Sequence, residues 1–303
     1  VTSVATKRVV VTNRVFAETR ALLAAHAELD VNTSDEPWST TEVMARCQTA
    51  SAVMAFMTDH IDAGFFDACP QLQIVGAALK GYDNIDVDAA TRAGVWVTVV
   101  PDLLTVPTAE LAIGLMLALG RHITTADREI RAHGFHGWRP RHYGIGLDGT
   151  TVGIVGMGRV GQAIAQRLAG FSCTLLGYDQ ATVPLADLPA GVELVALDAL
   201  LARSDWVVLA LPLTVETQHV LDAAAIRRMQ PGALLVNPAR GSLVDEAAVA
   251  DAIAAGHLAG YSADVFECED WARADRPRQI DPRLTAVGAP TVLTPHIGSA
   301  VVA

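Results

Sequence analysis

A chain of 303 residues, 51% hydrophobic and 18% charged, holds enough apolar material for two ordinary domains and too much to stay disordered. Its formal net charge of -11 argues against nucleic acid or an anionic membrane as partner; a small anion held by local Arg or Lys stays open. The cysteines Cys47, Cys69, Cys173 and Cys268 lie far apart, which speaks against a zinc site or disulfide framework and for free thiols in a cytoplasmic protein.

No charged-then-apolar leader opens the sequence, and no uninterrupted apolar run reaches ~20 residues. The nearest, 111–119, contains Gly114 and is flanked by Glu110 and Arg121, so it reads as a buried helix. In chain order, 8–11 is a β-branched strand run and 16–26 a helix. Strands follow at 52–56 and 73–78. A short helix over 86–93 begins near Asp86 and ends at Gly94, and 95–99 is a fourth strand. Strands alternating with helices predict a parallel sheet. Pro101 and Pro107 then punctuate the chain, and one long helix is expected over 108–132. The aromatic loop His133-Gly134-Phe135-His136-Gly137-Trp138-Arg139-Pro140 reads as an arm for a second subunit. His133, His136 and His142 lack the regular spacing and carboxylate or thiolate neighbours of a metal site, so no metal is expected.

From Thr151 the alternation becomes regular. Strands are expected at 152–155, 174–178, 206–211, 233–237, 261–265 and 291–294, with helices at 160–170, 198–204, 223–229 and 245–256. The first strand runs into Gly156-Met157-Gly158-Arg159-Val160-Gly161. Glycines at that spacing permit a tight turn, close approach of a pyrophosphate, and close helix–strand packing. Ligands of an open parallel sheet gather beyond the carboxyl ends of its strands. The residues at those ends are the Gly156 turn, Asp179, Pro212, Arg240, Asp264 and His296. Asp179 suits the two adenosine ribose hydroxyls and predicts NAD over NADP, since Gln180-Ala181-Thr182 offers no cation for a 2′-phosphate. Arg240 can grip an anion through two bonds, and Glu269 with His296 can form an acid/base pair.

The runs 156–161, Asn237-Pro238-Ala239-Arg240-Gly241-Ser242-Leu243-Val244-Asp245-Glu246, Asp264-Val265-Phe266-Glu267-Cys268-Glu269 and Thr294-Pro295-His296-Ile297-Gly298, in that order and spacing, resemble the D-isomer-specific 2-hydroxyacid dehydrogenases over essentially the whole chain. The resemblance implies two doubly wound parallel-sheet, Rossmann-like α/β domains with the active site in the cleft between them. It implies a substrate domain over 1–104 and an NAD-binding domain over 105–296, with a dimerisation arm near 121–148 and hence a homodimer. Arg240, Glu269 and His296 become the catalytic set. The NAD-contacting set becomes Lys80, Thr108, Gly156, Gly158, Arg159, Val160, Gly161, Asp179, Ala210, Leu211, Pro212, Pro238, Ala239, Arg240, Asp264 and His296. That intact catalytic set argues against a non-catalytic dinucleotide-binding regulator.

Four further stretches resemble one branch of that family, the phosphite (phosphonate) dehydrogenases: Met54–Met57, Ala78–Asn84, Val100–Glu110 and Glu269–Pro277. This implies oxidation of phosphite to phosphate, with Lys80, Gly81, Met57, Leu104, Arg240 and His296 around the substrate and Trp138 and Tyr143 bordering it. Either His296 takes the proton of the attacking water, with Glu269 orienting it, or it orients substrate while another group takes the proton. The alternative is an NAD-dependent D-2-hydroxyacid dehydrogenase or 2-ketoacid reductase. The resemblance also implies a helix and a further cation beyond His296, whereas the sequence given runs to Ala303.

Overall fold

A computed structural model describes residues 7–301 other than 185, 187 and 272. The chain forms two compact units. One comprises Val1–Asp102 with Trp271–Ala274, the other Leu103–Asp270 with Asp275–Ala303.

The first unit is a five-stranded sheet of β1 (Arg8–Val11), β2 (Glu28–Val31), β3 (Ala52–Ala55), β4 (Ile74–Ala77) and β5 (Trp96–Thr98), in the order β2-β1-β3-β4-β5. Every pairing is parallel. Helices α1 (Ala17–Ala24), α2 (Thr40–Cys47), α3 (Ala63–Ala68) and α4 (Val87–Ala93) connect the strands. Asp86 caps α4 by accepting the Ala89 N–H, and Gly94 ends it in the left-handed conformation at φ 70°, as the sequence predicted. Val10, Val53, Val75, Ile61, Phe65 and Phe66 form the core.

The sequence reading missed β2, α2 and α3. Each is a weak signal for a physical reason. β2 is an edge strand with no buried residue. α2 buries only Val43 and Cys47, one i, i+4 pair, and α3 is only six residues long.

The second unit is a seven-stranded parallel sheet. Its strands are β6 (Thr151–Val155), β7 (Thr174–Tyr178), β8 (Val192–Leu194), β9 (Trp206–Leu209), β10 (Ala233–Asn237), β11 (Leu258–Ala263) and β12 (Thr291–Leu293). Their order is β12-β11-β10-β9-β6-β7-β8. Direction reverses between β6 and β9, the position where a dinucleotide binds in a doubly wound sheet. Helices α7 (Arg159–Leu168), α8 (Leu197–Arg203), α9 (Ala223–Arg228), α10 (Glu246–Ala254) and α11 (Pro282–Thr285) complete the unit. Both faces are covered, because alternate residues of β9 enter different cores. Val207 and Leu209 join one, while Trp206 and Val208 join the other. A strand buried on both sides reads as a continuous apolar run, which is why these strands were legible and the three-residue edge strand β8 was not.

The single helix expected over 108–132 is instead two, α5 (Thr105–Gly120) and α6 (Ile123–His133). His122 takes a left-handed conformation at φ 54° between them. Gly120 marks the reason: a Cβ there would lie 2.5 Å from the Trp206 ring and from the Ile145 carbonyl oxygen. The chain must turn where it meets the sheet's core. α5 buries six residues, whereas α6 buries none. The loop beyond α6 is exposed, with Phe135, Trp138 and Tyr143 between 73% and 78% accessible.

Candidate active site

The apolar strand β6 delivers the glycine turn to the point of sheet reversal. Gly156 has φ 107°, and a Cβ there would lie 2.6 Å from Ala210 backbone atoms. Gly161 is tighter still, with its hypothetical Cβ 1.9 Å from the Gly156 carbonyl oxygen. Gly158 differs: nothing lies within 4 Å of its Cβ position, and it begins α7 with no side-chain cap. Two glycines thus close the turn against α7 and β9, and the third leaves open space before uncapped N–H groups. That cradle fits a pyrophosphate. Arg159 is exposed and Val160 half-buried in the first turn of α7.

Asp179 follows β7. Its Oδ2 accepts the Met157 N–H at 2.7 Å and its Oδ1 the Ala181 N–H at 2.9 Å. The carboxylate braces the glycine turn while remaining half-exposed. After β9, Ala210 is half-buried, Leu211 buried and Pro212 exposed. The Pro212 carbonyl accepts from Thr217 Oγ1 at 2.7 Å.

Three neighbouring strands then present the chemical groups. β10 ends in Asn237, whose Oδ1 accepts the Ala239 N–H at 3.1 Å and whose Nδ2 donates to the Arg240 carbonyl at 2.8 Å. This fixes the backbone that carries Pro238, Ala239 and Arg240. The Arg240 Nη1 donates to the Ala239 carbonyl at 2.8 Å. β11 leads to the 3₁₀ turn Glu267–Glu269, where Glu269 Oε1 accepts the Phe266 N–H at 2.6 Å. β12 leads to His296, and its Nδ1 lies 2.9 Å from Glu269 Oε2. With Nδ1–H donating to the carboxylate, Nε2 is the ring nitrogen for proton exchange.

Asp264, expected among cofactor contacts, holds the His296 loop. Its Oδ1 accepts from Thr294 Oγ1 at 2.6 Å and from the Ile297 N–H at 2.8 Å, and its Oδ2 accepts the Gly298 N–H at 2.7 Å. Its backbone carbonyl takes the His296 N–H at 2.8 Å. These bonds maintain the left-handed His296, at φ 55°. Thr108, near the start of α5, contacts the same loop through Gly298 O at 3.4 Å.

In the first unit, Met57 follows β3, while Lys80 and Gly81 follow β4; all three are half-buried. One buried acid organises these strand ends. Asp59 Oδ2 accepts from Thr12 Oγ1 at 2.5 Å and from the Phe56 N–H at 2.7 Å. Burial raises its carboxyl pKa, against the lowering effect of those two bonds. Asn84 donates to the Asp59 and Phe56 carbonyls at 2.8 and 3.0 Å, tying the Lys80 loop to the Met57 loop. The sequence reading passed over Asp59; its place three residues after Phe56 was the available signal. Leu104, in the second unit, is half-buried at the N-terminus of α5.

Residues 113–298 match the family model described as D-isomer specific 2-hydroxyacid dehydrogenase, NAD binding domain. The chain belongs to the D-isomer-specific 2-hydroxyacid dehydrogenase family. It is therefore an NAD-binding oxidoreductase of two parallel-sheet domains. A glyoxylate reductase from Thermococcus onnurineus is 37% identical over 298 residues, covering 97% of this chain and 86% of that protein. A D-3-phosphoglycerate dehydrogenase from Mycobacterium bovis is 40% identical over 258 residues, 85% of this chain and 47% of that protein. The crystal structure of a glyoxylate reductase from Paecilomyes thermophila superposes with a TM-score of 0.81 at 28% identity, covering 98% of this chain and 90% of that one. No helix among the described residues is long and apolar enough to cross a membrane.

Proposed function

We propose that this dehydrogenase moves a hydride between NAD and a small anion held by Arg240, with His296 exchanging the proton and Glu269 fixing its ring. The observation that carries this reading is the His296–Glu269 bond at 2.9 Å, made by residues that, like Arg240, follow the ends of three adjacent strands. NAD⁺, when bound, accepts the hydride at its nicotinamide ring. Gly156, Gly158 and Gly161 would hold its pyrophosphate. Asp179, already accepting two backbone N–H groups, would add the ribose hydroxyls and favour NAD over NADP.

The relatives' names back an organic substrate better than phosphite: a 2-hydroxyacid oxidised to its 2-ketoacid, or the reverse with glyoxylate. There Arg240 grips the carboxylate and His296 takes the hydroxyl proton as hydride leaves the same carbon. Phosphite is the second reading, favoured by Lys80 and the local resemblances at 78–84, 100–110 and 269–277. In that reaction phosphite, water and NAD⁺ give phosphate, NADH and a proton. Hydride leaves phosphorus, water oxygen bonds to it, and the proton leaves through His296. Lys80 would supply a second cation for a substrate that is largely dianionic. We place the enzyme in the cytoplasm as a homodimer joined through the 121–148 arm, on its four free cysteines and that arm's exposed aromatics.

NADH formation with phosphite, D-lactate and D-glycerate, set beside NADH consumption with glyoxylate, decides between the two. Turnover only with the organic acids removes the phosphite reading; turnover only with phosphite removes the other. Lys80→Ala sharpens the result. It should cut phosphite oxidation at least ~100-fold, and near-normal phosphite turnover would take Lys80 out of the site.

A further inference from the structure

The turn that carries Glu269 is held by carboxylates for which the reaction above has no use. Glu246 opens α10 and is 2% exposed; Glu267 is 6% exposed. Glu246 Oε1 accepts the Glu267 N–H at 2.9 Å, and Glu267 Oε2 accepts the Glu246 N–H at 3.2 Å. The other Glu267 oxygen, Oε1, lies 2.6 Å from His219 Nε2. Each acid thus satisfies the other's peptide, and His219 anchors the exchange from a third loop.

The Arg240 loop rests on the same peptide. A Cβ on Gly241 would lie 1.9 Å from the Phe266 carbonyl carbon and 2.2 Å from the Glu267 nitrogen. Asp270 Oδ2 accepts the Ser242 N–H at 2.5 Å. Arg240 and Glu269 therefore hang from one cross-bonded block. Burying these acids is costly: burial and the charge of Glu267 push the Glu246 carboxyl up to about 7. Two apolar residues in that space would carry no charge to bury, but they would leave the two peptide N–H groups that set the turn's position without acceptors.

We propose that Glu246, paired with Glu267, is a positioning residue that holds the 267–269 turn so that Glu269 meets His296 while the Arg240 loop keeps its seat against the Phe266–Glu267 peptide. The inference rests on the catalytic reading of Arg240, Glu269 and His296. A shift of about 1 Å in such a group costs on the order of 100-fold in rate, without requiring any contact with substrate.

The test uses the full chain and whichever substrate turns over. Glu246→Gln keeps an oxygen acceptor and should retain kcat within about threefold. Glu246→Ala should lower kcat by ~10- to 100-fold, with the KM for NAD within about threefold. His219→Ala, at a half-exposed position, guards against a Glu246→Ala protein that fails to fold. It should lower kcat by ~3- to 10-fold, again without moving the KM for NAD. Unchanged kcat in folded Glu246→Ala or in His219→Ala overturns the proposal, as does a Glu246→Gln protein as impaired as Glu246→Ala. Arg240→Ala is the separate control. If it leaves turnover intact, the catalytic reading fails; if it abolishes turnover while Glu246→Ala does not, only the positioning role fails.

Discussion

The two units share one grammar, a parallel sheet with candidate site residues beyond its strand ends, yet they stabilise those ends differently. In the first unit a single buried acid, Asp59, gathers the loops after β1 and β3, and Asn84 adds the loop after β4. In the second, the loops are held by several carboxylates that accept backbone N–H groups: Asp179, Asp264, Glu246, Glu267 and Asp270. The second unit also packs glycine backbone against backbone at Gly156, Gly161 and Gly241. A loop that must place a proton-transfer pair or meet a pyrophosphate needs its peptides fixed to fractions of an ångström. The first unit's loops carry longer, more adaptable side chains such as Lys80 and Met57, for which fewer constraints suffice.

The largest expected effect lies in the second unit. His296→Ala should reduce kcat/KM by at least ~1,000-fold, about 4 kcal/mol of transition-state stabilisation. A loss under tenfold would mean that the pair at 2.9 Å is structural.

Glycine substitutions probe the same contrast. Gly161→Val forces carbon into the Gly156 carbonyl and should abolish NAD binding or folding. Gly94→Ala in the first unit has φ 70° but open space around its Cβ, and should cost only about 1 kcal/mol by denaturant titration. Equal costs would erase the distinction.

Removing the first unit's organiser comes next. Asp59→Ala leaves Thr12 and the Phe56 N–H without their buried acceptor and should cost about 2–3 kcal/mol of stability, while NAD affinity in the second unit holds. Loss of NAD affinity in a folded variant would show that Asp59 acts beyond its own unit.

The last effect is a pH dependence. The Glu246 carboxyl is raised from its ordinary value to about 7 by burial, against the lowering effect of the Glu267 N–H it accepts and with a smaller push from the Glu267 charge. The folded protein therefore holds a proton between about pH 4.5 and 7 that the unfolded chain releases. Stability linked to this group is present below that window and declines as pH rises through it. Wild type should lose on the order of 1–3 kcal/mol between pH 4.5 and 8 relative to Glu246→Gln. Parallel pH profiles for the two proteins would place the Glu246 carboxyl at its ordinary value.

Much of this was legible in the sequence because the signals are local. The glycine spacing, the β-branched runs of the doubly covered sheet, and Asp86 with Gly94 around α4 each act over a few residues. The family of the chain followed from four short runs in fixed order. What the sequence could not supply were relations between distant peptides. Nothing in the 108–132 pattern showed that Trp206 and Ile145 would meet Gly120 and break the helix. Edge strands β2 and β8 carried too little burial to be seen. The sequence offered Asp264 as a cofactor contact and gave no sign of its bonds to Thr294, Ile297 and Gly298, and Glu246 drew no notice inside a recognised run. The sequence by itself determined which groups stand at the strand ends, since type and order are written along the chain. Only tertiary structure decided which of those groups hold the others in place, because a carboxylate's task depends on which backbone N–H folding brings within 3 Å.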